Sequence, residues 1–166
     1  MASAHCLLLR RDLGTPLPAV SWPATLRLSP YQAHLAARVY QLMQQGYADG
    51  GDLPEFDTWR RHFETDAEYD PALCFIAHDA EGLVGVAQCW TSAYIKDLVV
   101  HPRARGQGIG RALLLHAFEV FRQRREGFVD LKVREDNLPA RELYASVGMT
   151  LIRRELLPTA LPALQP

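Results

Sequence analysis

The stretch from Asp97 to Ala112 holds the residues best suited to chemistry. Gly106, Gly108 and Gly110 stand at alternate positions, with Arg103 and Arg105 before them and Arg111 after. The apolar run Leu98-Val99-Val100 leads in and a helically spaced apolar run leads out, so the glycines fall where a strand passes into a helix. Residues without a Cβ let successive backbone N–H groups converge on an anion at the helix N-terminus, where the dipole also favours negative charge. The arginines add positive charge, and a phosphorylated ligand fits this chemistry. On spacing alone a tight strand-to-helix turn with solvated arginines fits as well. A Walker loop is excluded, because Gly110-Arg111-Ala112 stands where Gly-Lys-Ser/Thr is required. A dinucleotide site is disfavoured, because the next strand ends in Val133-Arg134 without the acidic residue such a site uses.

A second constellation runs from Asn137 to Met149. Asn137 has the side chain of a helix cap, Pro139 suits the first turn, and Gly148 suits the exit. Tyr144 lies within this helix. Its phenol can donate a proton, but Leu143 and Val147 share its stripe, so packing alone would also explain it.

Taken in order, the two segments resemble the GNAT superfamily of N-acetyltransferases. Arg105, Gly108 and Gly110 match its Gln/Arg-x-x-Gly-x-Gly/Ala pyrophosphate loop. Asn137-Leu138-Pro139-Ala140-Arg141-Glu142-Leu143-Tyr144-Ala145-Ser146-Val147-Gly148-Met149 is similar to its Asn-x-x-Ala-x-x-Leu-Tyr-x-x-x-Gly-Phe signature, with Met149 in place of phenylalanine. The likeness covers roughly Ile95 to Met149, about a third of the chain. It implies acetyl-CoA as co-substrate and a primary amine, small-molecule or peptide, as acceptor by direct attack in a ternary complex. It places the pantetheine arm along the backbone of Leu98, Val99 and Val100, and the pyrophosphate over Arg105, Gly106, Gln107, Gly108, Ile109, Gly110 and Arg111. Asn137, Ala140 and Tyr144 complete the coenzyme contacts, and Tyr144 is the acid that protonates the departing thiolate. Relatives often dimerise, so a homodimer is also compatible.

One departure matters. Many relatives carry a glutamate on the strand before the phosphate loop, whereas the corresponding positions here hold Tyr94 or Lys96. Strict alternation along that strand groups Tyr94, Lys96 and Leu98 apart from Ile95, Asp97 and Val99, so Asp97 is expected to face away from the thioester and to be structural. The proton acceptor for the amine is therefore unassigned. Gln88, Trp90 and Tyr94 are the candidate acceptor contacts, and the acidic loop Asp49-Gly50-Gly51-Asp52 with Glu55 and Asp57 would attract a cation or cap a helix. The missing glutamate also keeps open a non-catalytic acyl-CoA sensor or interaction module.

These residues need a scaffold, and the rest of the sequence supplies one. At 166 residues with 48% apolar content, a single domain can close a core. Residues 1–23, with Pro16, Pro18 and Pro23, read as an N-terminal arm that adds at most an edge strand. Residues 24–157 form the acyltransferase domain, and 158–166 a tail. Ala24 to Leu28 reads as a strand, Ser29-Pro30 as a helix start for the stripe Leu35, Ala36, Val39, Leu42 and Met43, and Phe56, Trp59 and Phe63 as a second helix. Strands at 73–77, 83–90 and 94–100, a helix at 108–124, a strand at 128–133, the Tyr144 helix and a strand at 149–156 follow. The expected architecture is α/β, with a mixed, mainly antiparallel central sheet flanked by helices on both faces. Eighteen basic against 19 acidic residues give no basis for nucleic acid or an anionic membrane as partner. The histidines lack metal-ligand spacing and Cys6, Cys74 and Cys89 lack a Cys-x-x-Cys pair, so no metal is expected, and no apolar run is long enough for a span. A cytoplasmic enzyme is the expectation.

Overall fold

The computed structural model describes residues 4–47 and 53–157. Seven strands form one sheet in the order β2-β3-β4-β5-β6-β1-β7. They are β1 (His5–Asp12), β2 (Arg27–Pro30), β3 (Cys74–Asp79), β4 (Gly82–Trp90), β5 (Tyr94–Val100), β6 (Phe128–Arg134) and β7 (Thr150–Leu156). Four α-helices accompany them: α1 (Ala36–Gly46), α2 (Phe56–Thr65), α3 (Ile109–Gln123) and α4 (Leu138–Ser146). Neighbouring strands pair antiparallel except β5 and β6, which are parallel and joined by the α3 crossover.

Alternation along the strands sorts the core into two layers. On β3, Cys74 and Ile76 pack with Val39, Leu42 and Met43 of α1 and with Trp59 and Phe63 of α2, whereas Phe75 and Ala77 pack with Leu113, Ala117, Phe118 and Phe121 of α3. The helices thus cover both faces, as the sequence pattern requires. Burying a large apolar side chain contributes about 1.5–3 kcal/mol, so Phe118, Phe121, Leu113 and Leu114 alone fix α3 firmly against the strands that carry the site.

Three expectations at the N-terminal end need correction. The arm is not peripheral: β1 pairs with β6 on one side and β7 on the other, and Cys6 to Leu9 are buried, so the segment expected to add at most an edge strand supplies an interior one. The domain therefore begins before residue 24. Arg11 secures the chain that follows. Its guanidinium donates to the Val147 carbonyl (2.9 Å), Thr15 Oγ1 (2.6 Å), the Pro16 carbonyl (2.9 Å) and the Asp12 carbonyl. Ser29-Pro30 ends β2 instead of starting a helix, because Ser29 Oγ pairs with His78 Nε2 across the sheet (2.6 Å); the helical turn starts at Ala33. At α2, Glu55 is the N-cap residue without a side-chain cap bond, and the Asp49 to Asp52 loop and the 158–166 tail lie outside the described residues.

Candidate functional site

β5 and β6 meet at a single register pair, Tyr94 with Asp130, supported by Asp130 N–H donating to the Ala93 carbonyl (3.0 Å). The register between the two parallel strands ends there. The end of β5 and the N-terminus of α3 line one opening, where the first helix amides have no intrahelical partner. Gly106 (φ 79°) and Gly108 (φ 81°) are left-handed, and Gly108 is the N-cap of α3. A Cβ at either would meet nothing within 4 Å, so backbone conformation, not crowding, calls for glycine at both.

A cavity of about 410 Å³ lies at this opening. Val100, Arg105, Gly106, Gly108, Ile109, Gly110 and Arg111 line it from the strand end and α3, and Pro139, Ala140 and Leu143 from α4. The two motifs, far apart in sequence, therefore share one cavity. Arg105 reaches the carbonyl of Gly46 at the end of α1 (3.1 Å), and Arg111 reaches the carbonyl and Oγ of Ser146 at the end of α4 (both 3.2 Å), so both arginines brace helices around the opening. Arg103 is different. It pairs with Asp79 (2.7 Å) and Glu81 (3.2 Å) at the β3–β4 turn, which takes up its charge.

The remaining sequence-predicted residues fall at other places. Asn137 caps α4, its Oδ1 accepting from the Ala140 N–H (3.3 Å). Gln107 is exposed beside the loop. Val99 turns its side chain into the α1 layer, whereas Leu98 packs on the α3 layer. Trp90 stacks on Tyr94 (centroids 5.3 Å apart), with Lys96 Nζ 5.6 Å above the Trp90 ring, where β5 and β6 are still joined. Gln88 is apart from this pair. It is 3% exposed, lies opposite Asp97 in the register, and its Oε1 has no hydrogen-bond partner.

The alternation expected along β5 breaks at one residue. Gln88 pairs with Asp97 and Cys89 with Ile95, so Lys96 is the extra residue of a β-bulge. Asp97 and Val99 face α1, but Ile95 joins the α3 layer, contrary to the simple period of two. Asp97 is not idle there. Tyr47, at the end of α1, donates its hydroxyl to Asp97 Oδ1 (2.6 Å). Burial pushes the Tyr47 phenol up, and the charge of Asp97 and the nearby Tyr144 push it further. Burial also raises the Asp97 carboxyl, against the opposing pull of the Tyr47 hydrogen bond and of Lys96. Tyr144, partly buried against the α3 layer, is pushed up to about 12 by its removal from water. Tyr47 thus links Asp97 to the side of the site where Tyr144 stands. Nothing in the spacing of the sequence singled out Tyr47, an aromatic at the edge of a loop.

Among the described residues, no group of three or more His, Cys, Asp or Glu side chains could hold a metal ion, and no helix is long and apolar enough to cross a membrane.

Comparison with known proteins converges on one family. The profile of the Acetyltransferase (GNAT) family matches residues 36–149. The mycothiol acetyltransferase of Thermobispora bispora is 32% identical over 159 residues, covering 86% of this chain and 52% of that protein. The streptothricin acetyltransferase of Streptomyces lavendulae is 40% identical over 80 residues, covering 45% of this chain and 42% of that protein. A GCN5-related N-acetyltransferase from Sphaerobacter thermophilus superposes with a TM-score of 0.80 at 24% identity, covering 94% of this chain and 51% of that one. The chain spans about half the length of the mycothiol acetyltransferase it matches.

Proposed function

Because this chain belongs to the GNAT acetyltransferase family, we propose that it transfers the acetyl group of acetyl-CoA to a primary amine by direct attack in a ternary complex. The observation that carries this reading is the shared cavity: the end of β5 beyond its single register pair with β6, left-handed Gly106 and Gly108 at the helix end, and Pro139, Ala140 and Leu143 of α4, the helix that carries Tyr144, across from them. The free amides at the start of α3 suit the diphosphate, and Arg105 and Arg111 supply fixed positive charge at its rim. The open edges of β5 and β6 offer backbone donors and acceptors to the amide-bearing pantetheine arm.

Attack of a neutral amine on the thioester carbonyl places negative charge on oxygen and expels a thiolate. Tyr144 suits protonation of that thiolate. With its phenol pushed up to about 12, it holds its proton throughout the neutral range and gives it only to a strong base forming beside it. The relatives named for mycothiol and streptothricin favour a small-molecule acceptor, and we extend that class to this chain.

Two measurements test the reading. Calorimetric titration should show acetyl-CoA binding, and thiol release should rise when a polyamine, amino acid or aminoglycoside is added. Binding without amine-dependent release across such a panel would make the chain a coenzyme-binding module instead. Tyr144→Phe should lower kcat about 10²-fold or more at unchanged coenzyme affinity; full turnover across pH would remove Tyr144 from the mechanism.

A further inference from the structure

The N-acetyltransferase reading leaves the amine without a proton acceptor, and the structure holds an unused carboxylate close to the site. Asp97 sits on the α1 face of β5, partly exposed, with one oxygen engaged by Tyr47 at 2.6 Å. Directly across the β4–β5 ladder is Gln88, 3% exposed, whose Oε1 finds no donor. A buried amide oxygen without a partner is destabilising, and it is tolerated where a ligand supplies the missing donor. Side chains directly opposite on a sheet lie about 5 Å apart, so one ammonium or amine nitrogen can reach both Gln88 and Asp97.

We propose that Asp97 is the proton acceptor for the incoming amine, with Gln88 Oε1 accepting a second amine N–H and Tyr47 as the positioning residue that orients the carboxylate. The acceptor would then enter on the α1 side of β4 and β5, not over the Trp90–Tyr94 stack. This inference rests on the N-acetyltransferase reading.

The chemistry balances without a further reactant. The ammonium gives one proton to Asp97. The neutral nitrogen forms the C–N bond to the thioester carbonyl carbon, and collapse of the adduct breaks the C–S bond. The leaving thiolate takes the Tyr144 proton, and Tyr144 recovers one from the adduct nitrogen. Asp97 releases its proton to water after the amide departs. The net products are the acetamide, free CoA thiol and one proton.

The groups that set the ionisation of Asp97 come from several elements. Tyr47 from the end of α1 holds the charged form by hydrogen bonding and Lys96 of β5 attracts it, while burial opposes it. Cys74 of β3, Cys89 of β4 and Tyr94 of β5 also feel the carboxylate, and Tyr144 of α4 faces its partner Tyr47. Burial therefore makes Asp97 a stronger base than an exposed aspartate.

The test uses the full chain in two arms. In the first, Asp97→Asn should keep coenzyme affinity within about twofold while kcat for any active amine falls about 10²-fold or more at neutral pH. The loss should shrink as pH rises and the free amine becomes neutral by itself, and Asp97→Glu should restore part of the activity. In the second arm, CoA-saturated protein is titrated with propylammonium and the Gln88 side-chain amide resonances are followed by NMR. A saturable shift, absent in Asp97→Asn, is expected. Wild-type turnover and pH profile in Asp97→Asn, or no propylammonium shift at Gln88 with CoA bound, would overturn the proposal. Failure of coenzyme binding or of release with every amine would instead overturn the enzyme reading.

Discussion

Replacing Gly46 by alanine adds one methyl group where α1 ends against β5. An ideal Cβ there would lie 1.9 Å from Val99 Cγ1 and 3.3 Å from Val99 Cβ. Carbon atoms prefer about 3.5–4.0 Å, so the helix end or the strand must yield by well over 1 Å. Val99 cannot step aside cheaply: it is 4% exposed, β-branched and held in a paired strand. Overpacking of this kind costs about 1–3 kcal/mol. Helix propensity argues the other way, since alanine in a helix is favoured over glycine by about 1 kcal/mol. The geometry therefore predicts a net loss of up to about 2 kcal/mol, or up to roughly 8 °C in Tm for a domain of this size. Thermal unfolding followed by circular dichroism measures it. The functional consequence should appear alongside, because the Gly46 carbonyl anchors Arg105 at the cavity rim, and acetyl-CoA affinity should weaken in the same variant. A double-mutant cycle isolates the contact. Val99→Ala removes the clashing methyls, so Gly46→Ala in that background should cost little or stabilise, giving a favourable coupling of about 1 kcal/mol or more. If Gly46→Ala alone is as stable as the wild type or more so, the close approach of α1 to β5 is refuted.

Gly148→Ala should destabilise by about 1–2 kcal/mol in urea unfolding: φ is +88°, and the new Cβ would fall 2.8 Å from Arg11 Nε, disturbing the guanidinium that ties α4 to the chain after β1. Cys74 and Cys89 are buried thiols pushed up chiefly by burial, so iodoacetamide at pH 8 should label neither in the native protein and both after unfolding. Asp97→Asn should raise stability at neutral pH. A carboxyl raised in the folded state binds more protons there than in the unfolded chain once pH exceeds the unfolded value, so its ionisation costs stability as pH climbs through the folded value. The gain in Tm over wild type should therefore be present at pH 7 and disappear near pH 3.

The parts of the fold read correctly from sequence are those where local chemistry and tertiary packing agree. Asn137, Pro139 and Gly148 bracket α4 with cap and exit residues, and the structure places the cap bond and the left-handed exit where those residue types require them. The α3 stripe includes Leu113, Ala117 and Phe121, and all three are buried in the structure. His5 to Asp12 carried no such agreement. Its three leucines are followed by Arg10 and Arg11, which reads as the end of a buried run. Yet Arg10 lies along the strand with its guanidinium on Asp130 (2.7 Å) and over the Phe128 ring, and Arg11 is buried by donating to carbonyls from residue 12 to residue 147. An interior strand can carry charge when hydrogen-bond partners satisfy it, and the partners at Asp130 and Val147 lie too far along the chain to leave a local pattern.

The site divides along the same line. The glycine loop was legible because a left-handed turn feeding a helix end demands glycine, and the demand shows as spacing: Gly106 and Gly108. The other face of β5 was legible only in part. The bulge at Lys96 carries Ile95 into the α3 layer beside Leu98, whereas Asp97 and Val99 keep the opposite face, where Asp97 lies across from Gln88 and within reach of Tyr47. A bulge of this kind needs no glycine or proline and leaves Tyr94 to Val100 looking like an ordinary strand. The carboxylate that relatives place on this strand therefore looked absent, although an acidic side chain stands one residue later, turned toward α1 and joined through Tyr47 to the side where Tyr144 lies. Counting residues along a strand locates a catalytic group only while the ladder is regular, and strands beside a site that must open for a ligand are where the ladder breaks.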